Sequence, residues 1–252
     1  MDDLELLMDL HRDGARQGPG GERETKLAIE LAGLKAGEDL KIADIGCGTG
    51  ASAITLSKSL DAHVTAVDFL PGFLARLDER SAREGLSDRI TTLEASMDEL
   101  PFDSESFDVI WSEGAIYNIG FANGVKAWRR FLKTGGVLAV SELTWLTNKR
   151  PAEIDERWNQ DYPEVDTASA KISVLEDNGF SLLGYFALPD TCWLDNYYRP
   201  INERISAFLE RHGSSAAAKA IADAETEEVA LYERYKAYFG YGFYVARKWR
   251  DD

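Results

Sequence analysis

The sequence predicts an α/β fold: a mostly parallel sheet with helices on both faces and a helical insertion before the last strand. From residue 41 onward, short apolar runs alternate with helix-length amphipathic segments, the rhythm of parallel strands joined by crossover helices. Residues 190–239 then break that rhythm with helical composition. Finally, YGFYVARKW alternates apolar and polar positions as a closing strand does.

Taken in order, residues 2–13 and 22–34 space their apolar residues as helices, separated by the loop RQGPGG at 16–21. The expected strands are KIADI (41–45), HVTAVD (63–68), RITTLEA (89–95), FDVIWS (107–112) and GVLAVSEL (136–143). Between them ASAITLSKSL, FLARLDERSAREGL and NGVKAWRRFLKT read as helices. After residue 145 a segment rich in Trp, Pro, Asp and Glu reads as irregular. A helix near 168–178 and a strand at SLLGYFALP follow, then helices near 200–212 and 214–239. This is one domain over 1–252: amino-terminal helices as a lid (1–39), a binding core (40–189), a helical cap insertion (190–239) and a last strand (240–252).

Composition narrows the function. With 252 residues, 44% hydrophobic, the chain can bury a sizeable core. Against 44 acidic residues stand 28 basic ones, a formal charge of −16, which opposes the phosphate contacts that nucleic-acid binding needs. A small-molecule partner is expected, with no nucleic acid. No apolar run approaches the roughly 20 residues that cross a bilayer, so no membrane partner is expected. The acidic start MDDLELLMDLHRDG does not read as a signal peptide. Cys47 and Cys192 are too few for a disulfide framework, which favours a cytoplasmic protein. The three histidines are scattered and no spacing suggests a metal site.

IADIGCGTGASAI ends a strand, turns on Gly46, Gly48 and Gly50, and enters a helix. Such glycines allow left-handed turns and close backbone approach by a ligand. Read alone, the loop would also suit a dinucleotide. Asp44, in the strand end leading into the loop, adds negative charge where a pyrophosphate would sit, so it favours a ligand with positive charge and no phosphate. Asp68, ending VTAVD, can accept both hydroxyls of a ribose.

With these in place, IADIGCGTG, VTAVD, MDELPFDSESFDVIWSEG and WRRFLKTGGVLAVSE together resemble the class I S-adenosylmethionine-dependent methyltransferases over residues 40–143, and in particular their small-molecule branch. The resemblance implies a Rossmann-like, seven-stranded, mostly parallel sheet with an antiparallel last strand. It also implies S-adenosylmethionine as cofactor, with S-adenosylhomocysteine as product. By position, Gly46, Cys47, Gly48 and Gly50, with Asp44 beneath them, would approach the methionine part, Asp68 and Phe69 the ribose side, and Ser112 the end of the fourth strand. Ser96 and Met97 stand on the adenine side, where many members carry an acid followed by Ala. A hydroxyl can still meet the adenine amino group, while Met97 suits either the ring or the core.

The acceptor side is read from WSEGAIYNIGF (111–121), beyond the fourth strand, where ligands of open α/β sheets bind. Glu113 could take a proton, hold a cationic acceptor, or cap the next helix. Tyr117 could donate to or stack on the acceptor, or simply pack. Arg16 and Gln17 could reach the methionine carboxylate if 16–21 folds over the cofactor; a linker without contacts is the alternative. Trp145, Trp158, Tyr162, Trp193, Tyr197 and Tyr198 read mostly as packing, and the 190–239 insertion as a cap or a homodimer surface. The expected activity is methyl transfer to a small molecule. The rivals are a protein that binds the cofactor without transfer, a nicotinamide-dependent oxidoreductase that would share the loop and Asp68, and a nucleic-acid methyltransferase, which would need a basic face that the charge balance does not offer.

Overall fold

A computed structural model describes residues 3–249. Strands β1 (Lys41–Ile45), β2 (His63–Asp68), β3 (Ile90–Glu94), β4 (Phe107–Glu113) and β5 (Leu132–Trp145) are joined through helices α3 (Ala51–Leu60), α4 (Pro71–Arg83) and α5 (Phe121–Trp128). The sheet order is β3-β2-β1-β4-β5-β8-β7, with β7 at Phe180–Ala187 and β8 at Phe239–Lys248. β1 to β5 pair in parallel, and β8 runs antiparallel between β5 and β7. The expected seven strands are present. A two-residue eighth, β6 (Asp166–Thr167), pairs beside β5.

The central strands are buried along most of their length and mostly apolar: β1 buries all four residues after Lys41, and β5 buries its last ten. That is the signature of a sheet covered on both faces. One core, including Ile42, Val109 and Trp111, lies under α3 and α2 (Glu22–Ala32). The other, including Ala43, Ile110 and Phe121, lies under α5 and α7 (Ala168–Asp177).

Residues 145–167 depart from the expected irregular stretch by forming helix α6 (Ala152–Asp161). Only Ile154 of that helix is buried, so an apolar stripe too narrow to read hid it. The insertion after β7 builds α8 (Asp190–Trp193), one wide π turn (Leu194–Tyr198), α9 (Arg199–Arg211) and α10 (Ala216–Tyr235). Helix α1 (Asp3–His11) docks on this cap: Leu6 and Leu10 share a small core with Ile201, Phe208 and Ala218. Pairs His11 Nε2–Glu225 Oε1 (2.9 Å) and His212 Nε2–Asp9 Oδ2 (2.9 Å) flank it. Residues 12–21 therefore leave the cap and cross the carboxyl ends of β1 and β4 as a strap.

Candidate active site

A cavity of 540 Å³ opens at the carboxyl ends of β1, β2 and β4, within the range that takes a small ligand. Gly46, Gly48, Asp68, Ser96, Glu113 and Tyr117 line it, with Arg16 and Gln17 of the strap. Local chain geometry explains why these residues meet here. Gly46 and Gly48 take left-handed φ angles of +75° and +54°, which an L side chain adopts only with strain. The loop turns back on β2, where Gly46 N and Cys47 N both donate to Val67 O (2.8 and 2.9 Å). Gly48 N then donates to Asp68 Oδ2 at 2.8 Å, and Leu70 N to Asp68 Oδ1 at 2.9 Å. Asp68 is thus fixed at the cavity edge by two backbone donors while its carboxylate keeps lone pairs for ribose hydroxyls. Burial raises its pKa, against the lowering effect of those N–H groups.

Gly50 is corrected. Its φ is +83°, but a Cβ there would meet Leu77 Cδ1 of α4, and it is absent from the cavity wall. It is a packing glycine between α3 and α4. Ser112 is corrected as well: on β4 its side chain is fully buried, outside the cavity wall, and its hydroxyl has no partner among the described residues. The alternation of side chains along a strand turns it away while Glu113 faces the cavity.

Asp44 lies fully buried beneath the loop rather than on the cavity wall. Oδ2 accepts from Ser52 Oγ at 2.6 Å, and Oδ1 has no partner among the described residues. Burial pushes its pKa up to about 7, opposed by the Ser52 hydrogen bond and reinforced by the charges of Glu113 and Asp68. Cys47 is buried at the wall, and burial pushes its thiol well up, so it is no nucleophile.

On the adenine side, Met97 lines the cavity while packing on the core beneath α5. The core packing is seen, and the cavity-facing part of the side chain stays open to a ligand. Ser96 Oγ donates to Asp98 Oδ1, and both residues line the cavity. Asp98, two positions beyond the place where many members carry an acid, thus brings a carboxylate to this wall; the sequence reading missed it although EASMDE carries it in plain sight. Phe69 stands 64% exposed at the cavity mouth, next to Asp68.

The strap is no loose linker. Arg16 Nη1 donates to Glu113 Oε2 at 2.6 Å, Thr25 Oγ1 to Glu113 Oε1 at 2.7 Å, and Trp111 Nε1 to the same Oε1 at 3.0 Å. The ion pair is nearly buried. Glu113 thus has donors on both oxygens, and this placement makes it the anchor of the strap rather than a free base or a helix cap. Gln17 is corrected: its Nε2 donates to His11 O (3.1 Å) and its Oε1 accepts from Thr49 N (2.8 Å). The amide is spent on clamping strap to glycine loop. Arg80 of α4, unnoticed in the sequence, joins the same clamp through Ala15 O (3.0 Å) and Thr49 O (2.6 Å). Asn196 of the π turn donates to Gly20 O at 2.8 Å and ties the strap to the cap.

Tyr117 sits on the turn after β4, 41% exposed and lining the cavity. Its ring meets Tyr162 edge-on at 6.0 Å. Of the other aromatic residues, Trp145, Trp193 and Tyr198 are buried, and Trp158 and Tyr162 pack partly buried beside them. No cluster of metal-binding side chains occurs among the described residues.

Known proteins agree with this geometry. Residues 42–136 match the family described as "Methyltransferase domain". Over these residues the chain is similar to the S-adenosylmethionine-dependent methyltransferases. An uncharacterised methyltransferase, YodH, of Bacillus subtilis is 35% identical over 60% of this chain and 61% of its own length. The 27-O-demethylrifamycin SV methyltransferase of Amycolatopsis mediterranei is 30% identical over 53% of this chain and 50% of its own. The chain thus spans half to three-fifths of the length of these curated relatives. A methyltransferase structure from Geobacter sulfurreducens, in complex with S-adenosylhomocysteine, superimposes with a TM-score of 0.84. It covers 97% of this chain and 98% of its own at 17% identity, a likeness of fold.

The residues around the cavity are compatible with the cofactor that such proteins use. Gly46 and Gly48 let the loop pack against Ala115 and Gln17 at the cavity wall, Asp68 is held at its edge by Gly48 N, and Asp44 keeps an orphaned oxygen beneath the loop.

Proposed function

We propose that this protein transfers the methyl group of S-adenosylmethionine to a small-molecule acceptor. One observation carries the reading: a single cavity runs from the ribose-holding Asp68 to Glu113 and Tyr117 at the end of β4. A cofactor and an acceptor can therefore meet in it without a further opening. When bound, S-adenosylmethionine supplies an electrophilic methyl group on a sulfonium.

The chain's own residues position and enclose. Gly46 and Gly48 offer backbone to the methionine part, Asp68 accepts from the ribose, and Ser96 with Asp98 faces the adenine amino group. Arg16 uses two donors on Glu113 and Thr25, so its guanidinium, which has five N–H groups, keeps donors for the methionine carboxylate. Tyr117 bounds the acceptor side. Alignment supplies most of the rate in such a displacement, so the commitment of Glu113 to the strap is no obstacle to turnover. The rifamycin relative acts on a small molecule by its name, which supports a small-molecule acceptor here. The two cysteines are free and buried, in keeping with a reducing, cytoplasmic setting, and no helix among the described residues is long and apolar enough to cross a membrane.

Incubation with S-adenosylmethionine carrying a labelled methyl group and a panel of amines, thiols, phenols and carboxylates tests the proposal. Label should move to one acceptor class with equimolar S-adenosylhomocysteine. Binding of S-adenosylhomocysteine with no transfer to any class would favour the binding-only rival.

A further inference from the structure

The cavity has more wall than the proposed cofactor contacts occupy, and the remainder is largely apolar. Leu4 and Leu7 of α1, Pro19 of the strap, Phe73 of α4, and Tyr117 and Ile119 after β4 all line it. Among the described residues seven large hydrophobic side chains stand exposed, and four of them, Leu4, Leu7, Phe69 and Tyr117, border this one cavity. Single exposed leucines are ordinary, but a group gathered around one concavity marks a ligand surface.

Helix α1 shows how the leucines come to be there. Leu6 and Leu10 sink into the small core of the cap, which anchors the helix. Leu4 and Leu7, 48% and 41% exposed, lie on the neighbouring face and border the cavity. Met8 holds that face against the start of α4, since a Cβ on Gly72 would lie 2.9 Å from Met8 Cε.

Charge decides what this wall accepts. Its charged side chains are Arg16, Asp68, Asp98 and Glu113, and each is engaged. Arg16 and Glu113 pair with one another, Asp68 holds two backbone N–H groups, and Asp98 accepts from Ser96. Of the polar groups, Gln17 is spent on the glycine loop and Asn118 Nδ2 donates to Ala115 O at 2.9 Å. A carboxylate or phosphate on the acceptor would meet no Lys or His among the described residues of the wall, only one Arg that is already paired, and three acids. An ammonium group would give up water to leucine and aromatic surface without gaining a carboxylate there. Either charge would be desolvated without compensation.

We propose that the acceptor is an uncharged molecule with an apolar body, held by Leu4 and Leu7 of α1 and by Tyr117 and Ile119 after β4. The inference rests on the methyltransferase reading and names its substrate class.

The test is equilibrium binding to the full chain saturated with S-adenosylhomocysteine. Three probes share one ring system: naphthylmethanol, naphthoate and naphthylmethylammonium. The neutral alcohol should bind saturably and roughly tenfold tighter than either charged probe. Leu7→Ser, at an exposed position that leaves the core intact, should weaken the alcohol about threefold and S-adenosylhomocysteine not at all. Tyr117→Ser should weaken the alcohol by about as much. A charged probe that binds as tightly as the alcohol, binding of none of the three, or alcohol affinity unchanged in both variants overturns the inference. So does a Leu7→Ser that weakens S-adenosylhomocysteine instead of the alcohol, because it would give that face of α1 to the cofactor. Failure of the methyltransferase reading is seen separately, as no S-adenosylhomocysteine binding to the unmodified chain.

Discussion

The two ends of the cavity are built differently. The cofactor end draws on residues 44–98, close in sequence: Gly48 meets Asp68 twenty positions away and Ser52 meets Asp44 eight away. The acceptor end joins residues far apart: Arg16 meets Glu113 across 97 positions, Gly20 meets Asn196 across 176, and His11 meets Glu225 across 214. A local site can be written as a motif. One assembled by the fold leaves only scattered residue types.

Substitutions should separate the two ends, and the largest effect belongs to the cofactor end. Asp68→Ala removes a charged acceptor for two ribose hydroxyls and leaves Gly48 N unsatisfied. Calorimetric affinity for S-adenosylhomocysteine should fall about 100-fold. An effect under threefold would detach Asp68 from the ribose.

Next comes the acceptor end. Arg16→Ala leaves Glu113 nearly buried with its charge unpaired, a loss worth about 3 kcal/mol when such a pair is broken on one side. The strap can escape that cost by undocking, so amide exchange in residues 14–21 should accelerate and cofactor affinity should weaken. If exchange there stays unchanged, the ion pair does not hold the strap.

Asp44 gives a pH signature of intermediate size. Its folded pKa of about 7 exceeds the free value of 3.8, so the folded state keeps a proton that the unfolded chain releases. Stability should therefore fall as pH rises between those values, with a slope of up to about 1.4 kcal/mol per pH unit. Asp44→Asn cannot ionise. Its Tm should exceed that of the parent above pH 7, and the gap should close as pH falls to 3.8. Parallel Tm curves across that window would show that the Asp44 carboxyl is not held neutral.

The smallest effect is expected at Ser96. Asp98 stands beside it, so Ser96→Ala should cost S-adenosylhomocysteine about threefold, and Asp98→Asn more. The reverse order would return the adenine contact to the hydroxyl alone.

The same contrast explains what was legible in the sequence. The alternation of strands and helices located the sheet, and the glycine loop with Asp68 located one end of the cavity, because both are encoded within short windows. Gly50 and Ser112 were misjudged for a reason of direction. Each belongs to the right motif, yet one faces α4 and the other the strand's far side. Gln17 and Glu113 lay in the right place with roles that only their partners reveal: a clamp on Thr49 and an anchor for Arg16. Arg80, Thr25 and Asn196 carried no signal, since each serves a contact made by the tertiary fold. Asp98 did carry one, two positions beyond the residue chosen.

The most direct test of the central claim is a thermal-shift titration of the intact chain with S-adenosylhomocysteine and, separately, with NAD. Saturable stabilisation by S-adenosylhomocysteine, lost in Asp68→Ala, with none from NAD, is the result expected of this cavity. Stabilisation by NAD alone, or S-adenosylhomocysteine binding that ignores Asp68, would contradict it.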